Sequence, residues 1–533
     1  MTRLGDSGRA NGLVAYVVAN QPIVAHDQHS YRCAMDSAWD RLQPRFRELR
    51  DLTSATALLY WDLHVIMPSG GSEARARAVA TMRGLLHQRM TDPAIGEALE
   101  ELASNGTLDE DQRASVRVLA RDYEKAIRVP EELVRELAEA TGLANGLWVQ
   151  ARSEDDFSIF QPILERIVGL KKQEADALGF EDEPYDALLD NYEPGMKTAE
   201  IAAMFEQLVA GLRQMAEPVV EAMGAYPSWL SASYDTGRQL EFAQWLVGVL
   251  GFDTTSGRLD TSPHPFTMSV AGGDVRQTTR TDPDDLMMSI FATMHETGHA
   301  LYEQGIPKDI LDLPIGRVPS LGLHESQSRL WENQVGRSRA FCDFLLPQLK
   351  KRWPSDLGEL DADEFYLGVN RAQKTLIRVT ADELTYNLHL ALRFELERAL
   401  MNDELEVGEL PGAWNDAMDR NLGIRPPSDG DGVLQDIHWS MGSIGYFPTY
   451  TLGTIYSAAL FVAAKEELGP LDDEFRQGKT VRLLDWLREK VHSRAYRLDA
   501  KDLMAEVTGA PVTAEPLLDY LRAKFSDVAG ISL

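Results

Sequence analysis

The stretch Met294-His295-Glu296-Thr297-Gly298-His299 sets the reading of the whole chain. Its two histidines stand four residues apart, and they share a face only if the backbone there is helical. Asp282-Pro283 upstream reads as an N-cap with proline at the first helical position. Gly305 and Pro307 downstream read as its end. Met287, Phe291, Met294, Gly298 and Leu301 make an apolar stripe beside the imidazoles, so the rings are expected to face an interior or a cleft. Gly298 inside a helix costs about 1 kcal/mol relative to Ala. Close approach of another backbone, or room for a ligand, would explain it.

Working outward, Ala, Leu, Glu and Arg dominate, and apolar residues recur every three or four positions. Thr380 and Glu383 read as a capping box, followed by Leu384, Leu388, Ala391, Leu392, Leu396 and Leu400 on one stripe. Strict alternation is scarce, and only 262–280, rich in Gly, Pro, Thr and Ser, suggests a short hairpin or irregular loop. The expected fold class is therefore mainly α with a small β element. Residues 1–34 lack helical periodicity and read as an irregular N-terminal extension; 35–533 read as a single helical domain whose motifs fall within 260–455.

Composition narrows the function. A hydrophobic content of 44% allows a sizeable core. With 53 basic against 83 acidic residues, the net charge of −30 argues against a nucleic-acid partner. The apolar run Leu13 to Ala19 is far shorter than the ~20 residues a membrane span needs, and no clear small-residue cleavage site follows it. Two cysteines, Cys33 and Cys342, make no disulfide framework and fit a reducing, cytoplasmic compartment.

The histidine pair points to a metal. Two neutral imidazoles at this spacing can hold one Zn²⁺, and Glu296 beside them can activate water whose pKa the ion lowers. A catalytic zinc takes three protein ligands and keeps one position open. No histidine follows at the short metzincin spacing. Glu325 and Glu332, two turns apart in one expected helix, are the rival third ligands, and spacing does not choose between them. A structural zinc site is disfavoured, because such sites are usually closed and Cys-rich.

Six further segments stand in a fixed order around this one. They are His264-Pro265-Phe266, Asp274-Val275-Arg276-Gln277-Thr278, His324-Glu325-Ser326-Gln327, Ile377-Arg378-Val379-Thr380-Ala381-Asp382, Gly432-Val433-Leu434-Gln435-Asp436-Ile437-His438-Trp439, and the N-terminal Trp61-Asp62 with Met67-Pro68. Together they resemble the M32 metallocarboxypeptidases, the thermostable carboxypeptidase group of bacteria and archaea. The resemblance covers almost all of the chain after about residue 35. It implies Glu325 as the third ligand and a two-lobed helical fold with a deep groove, similar to neurolysin and angiotensin-converting enzyme. It also implies broad removal of C-terminal residues with a poor response to proline, a homodimer, and cobalt as a substitute for zinc. Two departures stand out. Residues 1–34 have no counterpart, and Thr454 stands where the family has Asn.

Peptide hydrolysis also needs donors for the oxyanion. His438 and Tyr446, with Tyr450 as the alternative tyrosine, are the right residue types and lie in a stretch that resembles the oxyanion segment of related helical peptidases. A carboxypeptidase must hold a free carboxylate, and arginine offers a bidentate fork. Arg378 is the first choice and Arg276 the second; the competing expectation is an ordinary salt bridge to Asp382 or Asp274. His264 is expected to line the groove or steady its loop, and Asp382 to orient a ligating histidine. The alternative functions are an oligopeptidase or dipeptidyl carboxypeptidase on the same scaffold, or a non-catalytic helical peptide-binding protein, which would have no need of Glu296.

Overall fold

Apolar residues at three- and four-residue intervals build helices along nearly the whole of the computed structural model, which describes residues 37–104 and 107–533. The expectations for residues 1–34, Cys33 included, lie outside the described residues. Ala38–Leu533 form one unit by their contacts. Five helices position the site and are labelled here: α1 (Ala38–Val65), α2 (Leu286–Gly305), α3 (Leu321–Arg329), α4 (Tyr386–Met401) and α5 (Pro448–Leu468). Helix α3 runs on into a π-helical turn, Leu330–Gly336. No helix among the described residues is long and apolar enough to cross a membrane.

The β element is a three-stranded sheet in the order β1 (Gly257–Thr261), β3 (Asp274–Thr279), β2 (Thr267–Ala271). Strands β2 and β3 form the hairpin expected within 262–280, and β1 adds a parallel edge. Threonines on the sheet and on α2 stitch the two together. Thr297 Oγ1 donates to Gln277 Oε1 at 3.0 Å, and the Thr279 and Thr293 hydroxyls pair at 2.8 Å. The sheet thus lies along the metal-motif helix.

Two helix starts differ from expectation. Helix α2 begins at Leu286, and Asp285, not Asp282, caps it by accepting from Met288 N. Residues 282 and 283 are held elsewhere: Gln239 bonds both the N–H and the C=O of Asp282, and the Pro283 carbonyl accepts Tyr234 N at 2.7 Å. Nor does the Thr380–Glu383 capping box form. Thr380 closes a 3₁₀ turn, its hydroxyl donating back to the Ile377 carbonyl. Glu383 pairs with Lys524. Asp382 takes over, accepting from Leu384 N and Thr385 N ahead of α4. The expected stripe on α4 is buried, but so are thirteen of its sixteen residues, as befits a helix running through the core.

Candidate metal centre

Helices α2, α3 and α5 meet at backbone distance because glycines let them. A Cβ on Gly298 would sit 2.5 Å from the Gln327 carbonyl oxygen on α3. A Cβ on Gly453 of α5 would collide with Glu325 Cγ. Helix α3 is therefore pinned between two glycine faces, which answers the question raised by Gly298. Its N-terminus is held by Ser320, whose Oγ accepts Leu323 N. The buried carboxylate of Glu193, pushed up to about 8 by burial, also accepts Gly322 N there.

This packing delivers Glu325 to the histidines. Glu325 Oε2 lies 3.5 Å from His295 Nε2 and 3.3 Å from His299 Nε2, and one donor atom from each of the three residues falls within 4.8 Å of the others. Glu325 is buried, whereas the histidine side chains keep 19% and 13% of their surface exposed, so one side of the cluster reaches solvent. Two imidazole nitrogens and a carboxylate oxygen converging on one point make a donor set that fits a divalent cation.

Glu332 serves the site in another way. Its Oε2 sits 2.9 Å from His295 Nδ1, which leaves Nε2 facing Glu325. Despite burial, Arg329 holds Glu332 down at about 2, so it is a permanent acceptor. Arg329 also bonds Glu325 Oε1 at 2.7 Å and bridges the two carboxylates. Asp382, expected to orient a histidine, instead spends its oxygens on Gln373 N, Leu384 N and Thr385.

Glu296 is buried beside the cluster, and burial raises its pKa against the pull of His295. Thr267 on β2 donates its hydroxyl to Glu296 Oε2 at 2.7 Å. That tie was not expected from the sequence. The β-hairpin is the only hint of it.

A second cluster gathers His438, Tyr446 and Tyr450. His438 Nε2 lies 3.2 Å from Tyr450 OH, and the His438 and Tyr446 rings are 5.4 Å apart. Burial lowers His438 to about 4 and raises Tyr446 to about 12. Near neutral pH the ring is uncharged and the phenol keeps its proton. Arg378 is buried next to them, its guanidinium 5.2 Å from the Tyr450 ring centre. It forks onto Asp436 Oδ1 through Nε at 3.0 Å and Nη2 at 2.7 Å; the pairing expected with Asp382 does not form. Arg393 holds the other oxygen of Asp436 at 2.7 Å. One carboxylate faces two buried guanidiniums, and despite burial these hold it far below its usual range.

The remaining candidates make local contacts. Arg276 on β3 forks onto Asp274 at 2.9 and 2.7 Å, the ordinary salt bridge. His264 is exposed, and its carbonyl accepts Ser262 Oγ. The Thr454 hydroxyl folds back onto the Tyr450 carbonyl at 2.9 Å.

A helical body with this candidate metal-binding cluster and a buried carboxylate beside it fits a metallopeptidase. Residues 41–525 match the family model Carboxypeptidase Taq (M32) metallopeptidase. The chain is 42% identical over 509 residues to thermostable carboxypeptidase 1 of Thermus thermophilus, covering 93% of this chain and 99% of that protein. It is 34% identical over 488 residues to carboxypeptidase 1 of Bacillus subtilis, covering 90% and 97%. The crystal structure of the M32 carboxypeptidase from Deinococcus radiodurans superposes with a TM-score of 0.91 at 39% identity, over 93% of this chain and all of that one. The chain belongs to the M32 family and is a metallocarboxypeptidase.

Proposed function

We propose that the enzyme removes single residues from the C-terminal end of peptides, with broad specificity and poor action on proline, using zinc held by His295, His299 and Glu325. Cobalt is the expected substitute. The observation that carries this reading is the convergence of those three donor atoms beside the buried Glu296. A bound zinc ion would act as a Lewis acid, lowering the pKa of water and polarising the scissile carbonyl.

The chain's own residues do the rest. Glu296 takes a proton from the attacking water and returns it to the leaving amine, with Thr267 fixing its outer oxygen. Neutral His438 and protonated Tyr446 supply hydrogen bonds to the oxyanion, and Tyr450 supports His438. Arg378 grips the substrate's free carboxylate. The positive excess of two guanidiniums over Asp436 supports this role. Arg276 and His264 border the substrate path on the sheet side. A cytoplasmic homodimer acting on peptides completes the reading.

Metal analysis of the purified protein and mass spectrometry of a defined peptide test it together. The expected result is about one zinc per chain and a ladder of products each one residue shorter. Release of dipeptides or internal cleavage would favour the oligopeptidase alternative. Arg378→Ala is expected to lower kcat/KM on free-carboxylate peptides about a hundredfold while C-terminally amidated peptides lose far less. Equal loss on both rejects the clamp.

A further inference from the structure

We propose that Glu397 is the positioning residue of the oxyanion segment, tying both ends of 438–446 to helix α4 and so fixing where His438 and Tyr446 stand. Its side chain is fully buried. Oε1 accepts Trp439 Nε1 at 2.9 Å; Oε2 accepts Gly445 N at 3.0 Å and Tyr185 OH at 2.7 Å. Trp439 directly follows His438, and Gly445 directly precedes Tyr446. One carboxylate therefore closes the segment like a clasp. Gly445 has φ +93°, and a Cβ there would sit 2.9 Å from the Leu188 carbonyl carbon. The clasp is thus seated against the helix that carries Tyr185. One turn earlier on α4, Arg393 grips Asp436 just ahead of the segment.

The chemistry calls for a carboxylate. An indole N–H and a backbone N–H can only donate, so both oxygens must accept. A glutamine in this place would set its NH₂ against one of the two donors whichever way the amide turned. Burial pushes Glu397 up to about 7, so holding the charge here is unfavourable. Packing alone would be served better by an apolar side chain. What the charge adds is a fixed geometry for the segment.

This inference rests on the oxyanion role of His438 and Tyr446, and the experiment separates the two. In the full-length zinc-loaded enzyme, Glu397→Gln is expected to lower kcat about tenfold to a hundredfold, less than outright removal of an oxyanion donor costs. KM is expected to stay within about twofold. Combined with Tyr446→Phe, it is expected to lower kcat no further than the deeper single variant. Trp439→Phe, which keeps an aromatic ring but removes one donor, is expected to lower kcat in the same direction by less, and it carries the same cycle if Glu397→Gln does not fold. Unchanged kcat in Glu397→Gln, a loss confined to KM, or strict additivity with Tyr446→Phe overturns the positioning role alone. Full kcat in both Tyr446→Phe and His438→Gln rejects the oxyanion reading itself, and the proposal falls with it.

Discussion

Helix α2 places His295 and His299 four residues apart, and helix α4 places His389, Arg393 and Glu397 at the same interval. Both helices are largely buried, so the spacing alone does not separate them. The difference lies in what each side chain meets. On α2 two imidazole nitrogens converge on a carboxylate oxygen that already accepts from Ser328 Oγ, and such a donor set fits a cation. On α4 Arg393 meets a carboxylate and Glu397 meets three donors, so each is completed by protein. Spacing chooses the face, and the partner's chemistry decides whether that face is a site or a brace.

The sharpest way to break this contrast is to change one helix and look for the other's phenotype. Glu296→Gln on α2 is expected to cost at least about a thousandfold in turnover, in line with loss of a general base, while metal content and thermal midpoint stay near those of the parent enzyme. Retention of most activity would remove Glu296 as the base. Arg393→Met on α4 is expected to cost about 3 kcal/mol of stability, because it strips a buried carboxylate of one of its two cations. Denaturant unfolding reads this directly, and an unchanged midpoint would dissolve the distinction between site and brace. The smallest effect falls between the two regions. Glu332→Gln is expected to weaken metal binding about tenfold to a hundredfold by loosening His295. A chelator competition showing parental affinity would mean that the His295 ring is oriented by packing alone.

The sequence made α2 legible because its chemistry is local. One turn of helix carries both histidines and Glu296, and the apolar stripe announces which way they point. Gly298 even signalled a close neighbour, although not that the neighbour would be the backbone of Gln327 and Ser328. Glu332 was visible only as a rival ligand. Its distance to His295 depends on the π-helical turn that follows α3, and periodicity does not foretell such a turn. Arg378 stands out in the sequence, but its partner is Asp436, fifty-eight residues away, not the nearby Asp382. The ladder on α4 is masked in the sequence by the leucines around it. Charged residues every fourth position in an otherwise apolar helix were the available signal. Helix starts failed for a related reason: three aspartates compete near residue 282, and contacts from Gln239 and Tyr234 make the choice.

The glycine faces on either side of α3 bear on what happens when the ion leaves. Glu325 lies against Gly453 on one helix while its own helix rests on Gly298 of another. Glu325, the proposed third ligand, is therefore backed closely by helix α5. Stripping the enzyme with a chelator should leave the backbone around the cluster in register, and reloading should run at the pace of ion dehydration, with no slow rearrangement of the chain.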